Sequence, residues 1–158
     1  MIRILPVIIF FFSLASSYAQ KKVAAYKLKS TVLIDGIIDS KNFPDSATSF
    51  IQLEPQKGKV ASRRTVIYFG YDSLNIYIFW KCYQPSDEIV AKIQSRDHLS
   101  KSDDLVLVML DTYNDNTSAY GFFVNPLGSQ IDAKFTDDGR NIDINWDTEW
   151  QSAVKIFS

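Results

Sequence analysis

The chain has 158 residues, with 17 lysines and arginines against 18 aspartates and glutamates, and a formal net charge of −1 at pH 7. This balance argues against nucleic acid as a partner, because such binding needs clustered positive charge. Cys82 is the only cysteine, which excludes an internal disulfide, and its place in an apolar run predicts a buried, unreactive thiol. The length suits one domain with a hydrophobic core.

The N-terminal residues predict a secretory signal peptide. Arg3 supplies a positive charge, residues 4–14 form an apolar run too short to span a bilayer comfortably, and Ser17 and Ala19 are small residues suited to cleavage. We therefore expect residues 1–19 to be removed and the mature chain to be exported to the periplasm, the outer membrane or the cell exterior. An uncleaved anchor helix is the alternative.

Most of the remaining chain is predicted to form strands, because its apolar runs are short and rich in β-branched and aromatic residues. In the first half, short strands are predicted at 23–28 and 31–34, followed by a turn at 35–36 and a helical turn at 39–43. The clearest element is a hairpin whose strands are 64–71 and 74–83. Both alternating faces of 74–83 are mostly apolar, as expected for a central strand of a two-layer sandwich.

In the second half, residues 85–94 give the only helix prediction, since Pro85 suits a helix start and Asp87 and Glu88 suit its first turn. Four strands follow, at 104–111, 119–125, 129–135 and 151–157. A polar loop at 136–147 separates the last two of them. The predicted fold class is all-β, a two-layer antiparallel β-sandwich of jelly-roll type. Because the chain stops directly after its last predicted strand, we expect the domain at 20–158 to be truncated.

The polar residues between the later strands divide into two groups. Asp104 and Asp111 lie at opposite ends of one predicted strand, about 23 Å apart. If these strands form a simple meander, one group gathers at each end of the sheet. The residues expected beside Asp111 are Asn114, Asp115, Asn116, Asp137, Asp138, Asp143 and Asp147. Those expected beside Asp104 are Arg96, Asp97, Asp103 and Asn125.

The first of these groups predicts a structural calcium site formed by Asp111, Asp115 and Asp147. Its candidate ligands are oxygens rather than imidazole or thiolate, which is the chemistry of calcium rather than zinc. The spacing from Asp111 onward does not match an EF-hand loop. A solvated acidic loop with Asx turns is the alternative.

Several short motifs stand in a recognisable order along the chain. They are Ile34-Asp35-Gly36, Ser95-Arg96-Asp97, the acid-bracketed apolar run 103–113, the run 122–132 with its Asn-Pro-x-Gly turn, and Trp146-Asp147 with Trp150. Together they resemble the family 9 carbohydrate-binding modules, and more closely the sugar-module-like domain that opens certain large bacterial outer-membrane barrel proteins. The resemblance spans about residues 32–150. It implies a β-sandwich that binds sugar, attached in relatives to glycoside hydrolases or barrels, with structural calcium in some members.

Sugar contacts are predicted at Arg96, Asp97, Asp104, Asn125 and Trp146. A guanidinium offers a rigid fork of donors, carboxylates and amides pair with hydroxyl groups, and an indole can stack on a sugar ring. Two alternatives stay open. Arg96 can instead form an ion pair with Asp97 or Asp104 that fastens a loop to the sheet, and Trp146 can be a core residue at the head of a strand.

The expected function is non-catalytic carbohydrate binding, as an exported module of a larger cell-envelope protein involved in glycan handling. The expected partners are an oligo- or polysaccharide and a C-terminal barrel or hydrolase domain of the same protein. His98 is the only histidine and has no evident nucleophile beside it, which favours binding over catalysis. A structural or docking domain of an outer-membrane assembly is the first alternative, and a part of a glycoside hydrolase is the second.

Overall fold

The computed structural model describes residues 22–29, 32–98 and 102–157, and within them the fold is all-β, in two sheets with almost no helix. The predicted signal peptide at 1–19 lies outside the described residues. The first sheet contains β1 (Tyr26–Lys27), β2 (Arg64–Tyr71) and β3 (Ile76–Tyr83), in that order, with β1 parallel and β3 antiparallel to β2. Within the described ranges the chain has no apolar helix of membrane-spanning length.

The β2–β3 hairpin is closed by the carboxylate of Asp72. Its Oδ1 accepts hydrogen bonds of 2.8 Å from the backbone N–H groups of Leu74 and Asn75, and its Oδ2 accepts one of 2.7 Å from the Tyr77 hydroxyl. These bonds favour the charged form, so the Tyr77 hydroxyl and then the two amides lower the pKa of Asp72 to about 2. The predicted hairpin is confirmed, with a turn closed by an aspartate side chain.

The second sheet is a four-stranded antiparallel meander. It contains β4 (Val106–Leu110), β5 (Ala119–Val124), β6 (Gln130–Thr136) and β7 (Asn141–Asp143) in chain order. The up-down-up arrangement of the first three strands, on which the grouping of polar residues depended, is confirmed. The last strand, β7, lies inside the segment predicted to be a polar loop.

The register of this sheet separates an apolar face from a mixed one, because directly opposed residues in antiparallel strands share a side. The apolar face carries Leu107, Met109, Gly121, Phe123, Ile131 and Ala133. We call the opposite side the Trp face, defined by Tyr120, Phe122, Asp132 and Lys134. Trp146 and Trp150 pack against Phe122 on this face, with ring centroids 6.2 and 5.2 Å away.

Several local predictions differ from the structure. Residues 32–34, the described part of the strand predicted at 31–34, form no strand, and β3, expected to be a central strand, lies at the edge of its sheet among the described residues. The helix predicted at 85–94 is a single 3-10 turn at Ser86–Glu88, because the backbone N–H groups that follow it bond to side chains of the later loop rather than within a helix. The strand predicted at 151–157 has no ladder partner among the described residues. Cys82 is exposed rather than buried, since it lies near the end of β3, where the strand is open to solvent.

Candidate functional site

Arg96 lies at the centre of a charged cluster on the Trp face. Its Nη2 is 3.2 Å from Asp132 Oδ1, 3.0 Å from Asp147 Oδ1 and 2.7 Å from the carbonyl oxygen of Thr148. We call Arg96, Asp132, Asp147 and the Thr148 backbone the Arg96 cluster. One guanidinium nitrogen therefore joins the loop after β3, the middle of β6 and the segment after β7.

Asp132 explains why an arginine is needed here. Its side chain is fully buried, at 0% exposure, and a buried carboxylate is costly unless it is paired and hydrogen-bonded. Arg96 supplies the opposite charge, and the backbone N–H of Thr148 donates a 2.7 Å hydrogen bond to Asp132 Oδ2. Partial burial by itself disfavours the charged guanidinium, but the charges of Asp132 and Asp147 outweigh this effect and raise the pKa of Arg96.

These partners refine the ion-pair alternative for Arg96. The distance from Arg96 Nε to Asp97 Oδ2 is 3.9 Å, and the closer carboxylates are Asp132 and Asp147. Sequence reasoning missed Asp132, because β6 alternates polar and apolar residues and Asp132 falls among the polar positions, which the pattern assigns to solvent. Arg96 thus fastens the segment after β7 to β6.

Part of the Arg96 cluster remains open to solvent. The Arg96 side chain is 40% exposed and that of Asp147 is 70% exposed. Asp97 is held in a left-handed backbone conformation with φ of 65°. In the described part of the chain, its Oδ1 and the indole Nε1 of Trp150 are buried without a hydrogen-bond partner. The cluster therefore combines a fixed guanidinium with an accessible carboxylate, and two residues close to it in the chain, Asp97 and Trp150, each bury one polar atom.

Trp146 borders this cluster through its neighbour Asp147. Its ring lies 4.6 Å from that of Tyr120, centroid to centroid, at an interplanar angle of 35°. It is half-buried, so part of the indole covers the sheet and part faces solvent. Of the predicted sugar contacts, Arg96, Asp97 and Trp146 lie in this one region.

Asn125 has a different role from the one predicted. It is 2% exposed, and its Nδ2 donates to the Lys92 carbonyl at 2.8 Å and to Asp103 Oδ2 at 3.0 Å. Its Oδ1 accepts the backbone N–H groups of Leu127 at 3.0 Å and Ser129 at 2.9 Å. These four hydrogen bonds use the capacity of the amide and join its own turn to the two segments that contain Lys92 and Asp103. It is a buried junction rather than a surface contact.

Asp104 is also engaged by the protein. Its Oδ2 accepts hydrogen bonds from Gln84 Nε2 at 3.1 Å and from the Val90 backbone N–H at 3.0 Å. These contacts tie the chain after β3 to the chain before β4. Asp104 and Asn125 therefore connect loops, and the side-chain partners described for both lie outside the Arg96 cluster.

The three predicted calcium ligands do not fit one site. Asp111 accepts the backbone N–H groups of Asp115 at 3.2 Å and Asn116 at 2.9 Å, so its carboxylate closes the β4–β5 loop. Asp115 accepts those of Thr117 and Ser118, which lower its pKa to about 2. Asp147 instead lies against Arg96 on the Trp face. Among the described residues no three acidic, histidine or cysteine side chains gather as a metal site, and calcium binding stays a prediction.

No family model matches this chain, and no curated protein or solved structure matches it either.

Proposed function

We propose that this chain is a non-catalytic carbohydrate-binding module, exported as part of a larger cell-envelope protein, whose two sheets pack as a sandwich of jelly-roll type. The sequence motifs supply the family resemblance, and the all-β fold with two sheets is consistent with it. The ligand is an oligo- or polysaccharide. Recovery of a mature N-terminus at Gln20 from envelope material tests the export, and an intact Met1 in the cytosol contradicts it.

The observation that supports sugar binding best is the half-exposed Arg96. Its Nη2 is held by three protein oxygens, so the guanidinium plane is fixed before any ligand arrives. A pre-organised donor loses little freedom on binding, which matters for sugars because their hydroxyls already bond well to water. Asp147 offers an accessible acceptor, and Trp146 offers part of an apolar ring.

Titration calorimetry of the whole chain with cellotetraose, xylotetraose and mannotetraose tests this proposal. The expected dissociation constant for a bound sugar is roughly micromolar to millimolar, since exchanging water for protein hydrogen bonds gains little net free energy. Arg96→Lys weakens binding because an ammonium cannot reproduce the fork. The matched control is Arg63→Lys, which alters the exposed ion pair with Glu88. Silence of the folded wild-type protein toward the whole panel contradicts the proposal.

A structural or docking domain without a sugar ligand is the second candidate. The edge strand β4 favours it, because Leu107 is 37% and Met109 46% exposed on the apolar face. The strand lacks the charges and prolines that usually protect an exposed edge. In this case Arg96→Lys lowers stability, and no sugar response exists to be lost.

A further inference from the structure

A shallow groove follows the β6–β7 hairpin on the Trp face. Its volume is about 510 Å³, and it is lined by Lys134, Thr136, Arg140, Asn141, Ile142 and Asp143. None of these residues was assigned a ligand from the sequence. They were missed because β7 is short and exposed and its residues alternate in no apolar pattern.

The strand register aligns the polar side chains of this groove. Lys134 is directly opposite Asp143, and Thr136 is directly opposite Asn141, so all four project to one side of the hairpin. On the other side of β6, Lys134 is directly opposite Tyr120 of β5. Donors and acceptors therefore stand in two rows on a rigid sheet rather than on a mobile loop.

The groove lies beside the Arg96 cluster on the same face of the sheet. Lys134 follows Asp132 by two residues on the same face of β6, which is about 7 Å along the strand. The aromatic pair of Tyr120 and Trp146, whose ring centroids are 4.6 Å apart, borders both regions on the β5 side, where Tyr120 is directly opposite Lys134. From β5 to β7 the face spans two strand spacings, about 10 Å. Its dimensions suit an extended ligand rather than a single compact one.

The charges of the groove favour a neutral ligand. Lys134 is positive and faces the carboxylate of Asp143 across the hairpin. Arg140 is partly neutralised by Asp137 at 3.2 Å and by Asp138 at 3.6 Å. A phosphate or a uronic acid needs a surplus of positive charge, whereas hydroxyl groups pair equally well with ammonium, amide, hydroxyl and carboxylate groups.

We propose that the β6–β7 groove is a second subsite for a neutral pyranose chain, which runs from the Arg96 cluster past Trp146 onto β7. This inference rests on the proposed sugar-binding function. Lys134, Asn141 and Asp143 contact the distal sugar units, and the Arg96 cluster holds the proximal ones. The aromatic pair supplies an apolar surface along the β5 side of both.

The test compares sugar lengths with groove variants of the whole chain. Calorimetry is done with cellobiose and cellotetraose, or with the di- and tetrasaccharide of whichever neutral series the wild type binds. The double variant Lys134→Ala, Asn141→Ala is expected to weaken tetrasaccharide binding by about three- to tenfold and to leave disaccharide binding unchanged, since it removes distal hydrogen bonds. Lys81→Ala on β3 is the matched control, and circular dichroism checks that each variant is folded.

Four other outcomes overturn the inference. Unchanged tetrasaccharide affinity in the double variant removes the groove from the site and leaves the proposed function intact. An equal loss for both lengths contradicts the separation into two subsites. Binding of trigalacturonate in preference to every neutral tetrasaccharide contradicts the neutral class of ligand. Absence of any wild-type binding overturns both this inference and the proposed function.

Discussion

At the scale of single residues, the buried carboxylate of Asp132 is the strongest constraint on the candidate site. It lies on the side of β6 against which Trp146 and Trp150 pack, and its charge is met from outside the sheet. Arg96 meets it, and in doing so holds Asp147 and the backbone of Thr148. The residue predicted to touch ligand is thus also the residue that assembles the surface around it.

Replacing Arg96 tests this double role. Arg96→Ala leaves Asp132 buried without its counter-ion, so we expect a clear drop in the urea midpoint of unfolding at pH 7. Arg96→Lys keeps the charge, but its shorter side chain does not bring the ammonium to the position of Nη2, so its midpoint falls between those of wild type and Arg96→Ala. Arg63→Ala, at an exposed ion pair, is the control with little effect. Equal midpoints for Arg63→Ala and Arg96→Ala would show that Arg96 is not a structural anchor.

Asp115 predicts a pH dependence of stability. Hydrogen bonds from Thr117 and Ser118 lower its pKa from 3.8 to about 2 in the folded chain. The folded state therefore binds its proton later than the unfolded state as pH falls, so the stabilisation is complete above about pH 4 and is lost as the pH drops through about 2. We expect Asp115→Asn to be less stable than wild type at neutral pH, with the difference shrinking toward pH 2.

Urea unfolding at pH 7, 4 and 2.5 (about these values) measures that difference for Asp115→Asn. Asp87→Asn, in the exposed 3-10 turn, serves as the matched control. A stability difference that stays constant across the series would mean that the carboxylate of Asp115 contributes nothing through its charge.

At the scale of elements, local patterns predicted the long strands and failed where distant side chains intervene. The bounds of β2 match the prediction at 64–71, because its continuous run of β-branched and aromatic residues, ended by the turn at Asp72, leaves few alternatives. The helix prediction at 85–94 was wrong because the Val90 backbone N–H donates its hydrogen bond to the side chain of Asp104, a distant residue, and not to a carbonyl group within a helix. The Arg96 cluster was equally hidden, since Arg96 and Asp147 are 51 residues apart and only the fold brings them together.

Packing between β5 and β6 predicts the effect of one methyl group. A Cβ at Gly121 would lie 2.5 Å from Cε2 of Phe135, which is buried on the neighbouring strand. Gly121→Ala should cost about 1–3 kcal/mol of unfolding free energy, as overpacking does in other cores. The loss of unfolding free energy in the double variant Gly121→Ala, Phe135→Leu should be smaller than the sum of the losses in the two single variants. The reason is that the smaller leucine leaves room for the added methyl group.

Chemical denaturation of the two single variants and the double variant gives the coupling between Gly121 and Phe135. Strict additivity of the two changes, or a Gly121→Ala variant as stable as wild type, would mean that the ring moves aside without cost.

At the scale of the whole molecule, the β4–β5 loop and the turn after β6 share one end of the sheet as predicted, joined by the 3.1 Å hydrogen bond from the Asp138 backbone N–H to the Thr117 carbonyl, whereas Asp147 lies elsewhere. Asp111 and Asp115 close the β4–β5 loop, while Asp147 is drawn onto the Trp face by Arg96. The sequence could not separate them, because residues 136–147 contain no pattern that fixes their course. This placement therefore does not favour a single calcium site shared by Asp111, Asp115 and Asp147.

Thermal melts with millimolar calcium and with a chelator test the calcium prediction. A cation that binds only the folded chain raises the melting temperature by mass action. Since Asp147 is engaged by Arg96, we expect any such rise to survive in Asp147→Asn and to disappear in Asp111→Asn. Loss of the rise in both variants would restore the three-residue site, and a flat response in wild type would remove calcium altogether.

The buried amide of Asn125 has a consequence for how the protein ages. Asparagine side chains deamidate when the backbone nitrogen of the next residue attacks the amide carbon, a step that needs that nitrogen to carry a hydrogen. The next residue is Pro126, whose nitrogen carries none. Asn125, which joins its own turn to two other segments, is thus protected from the commonest spontaneous damage of asparagine, and deamidation is expected instead at exposed asparagines such as Asn114 and Asn116.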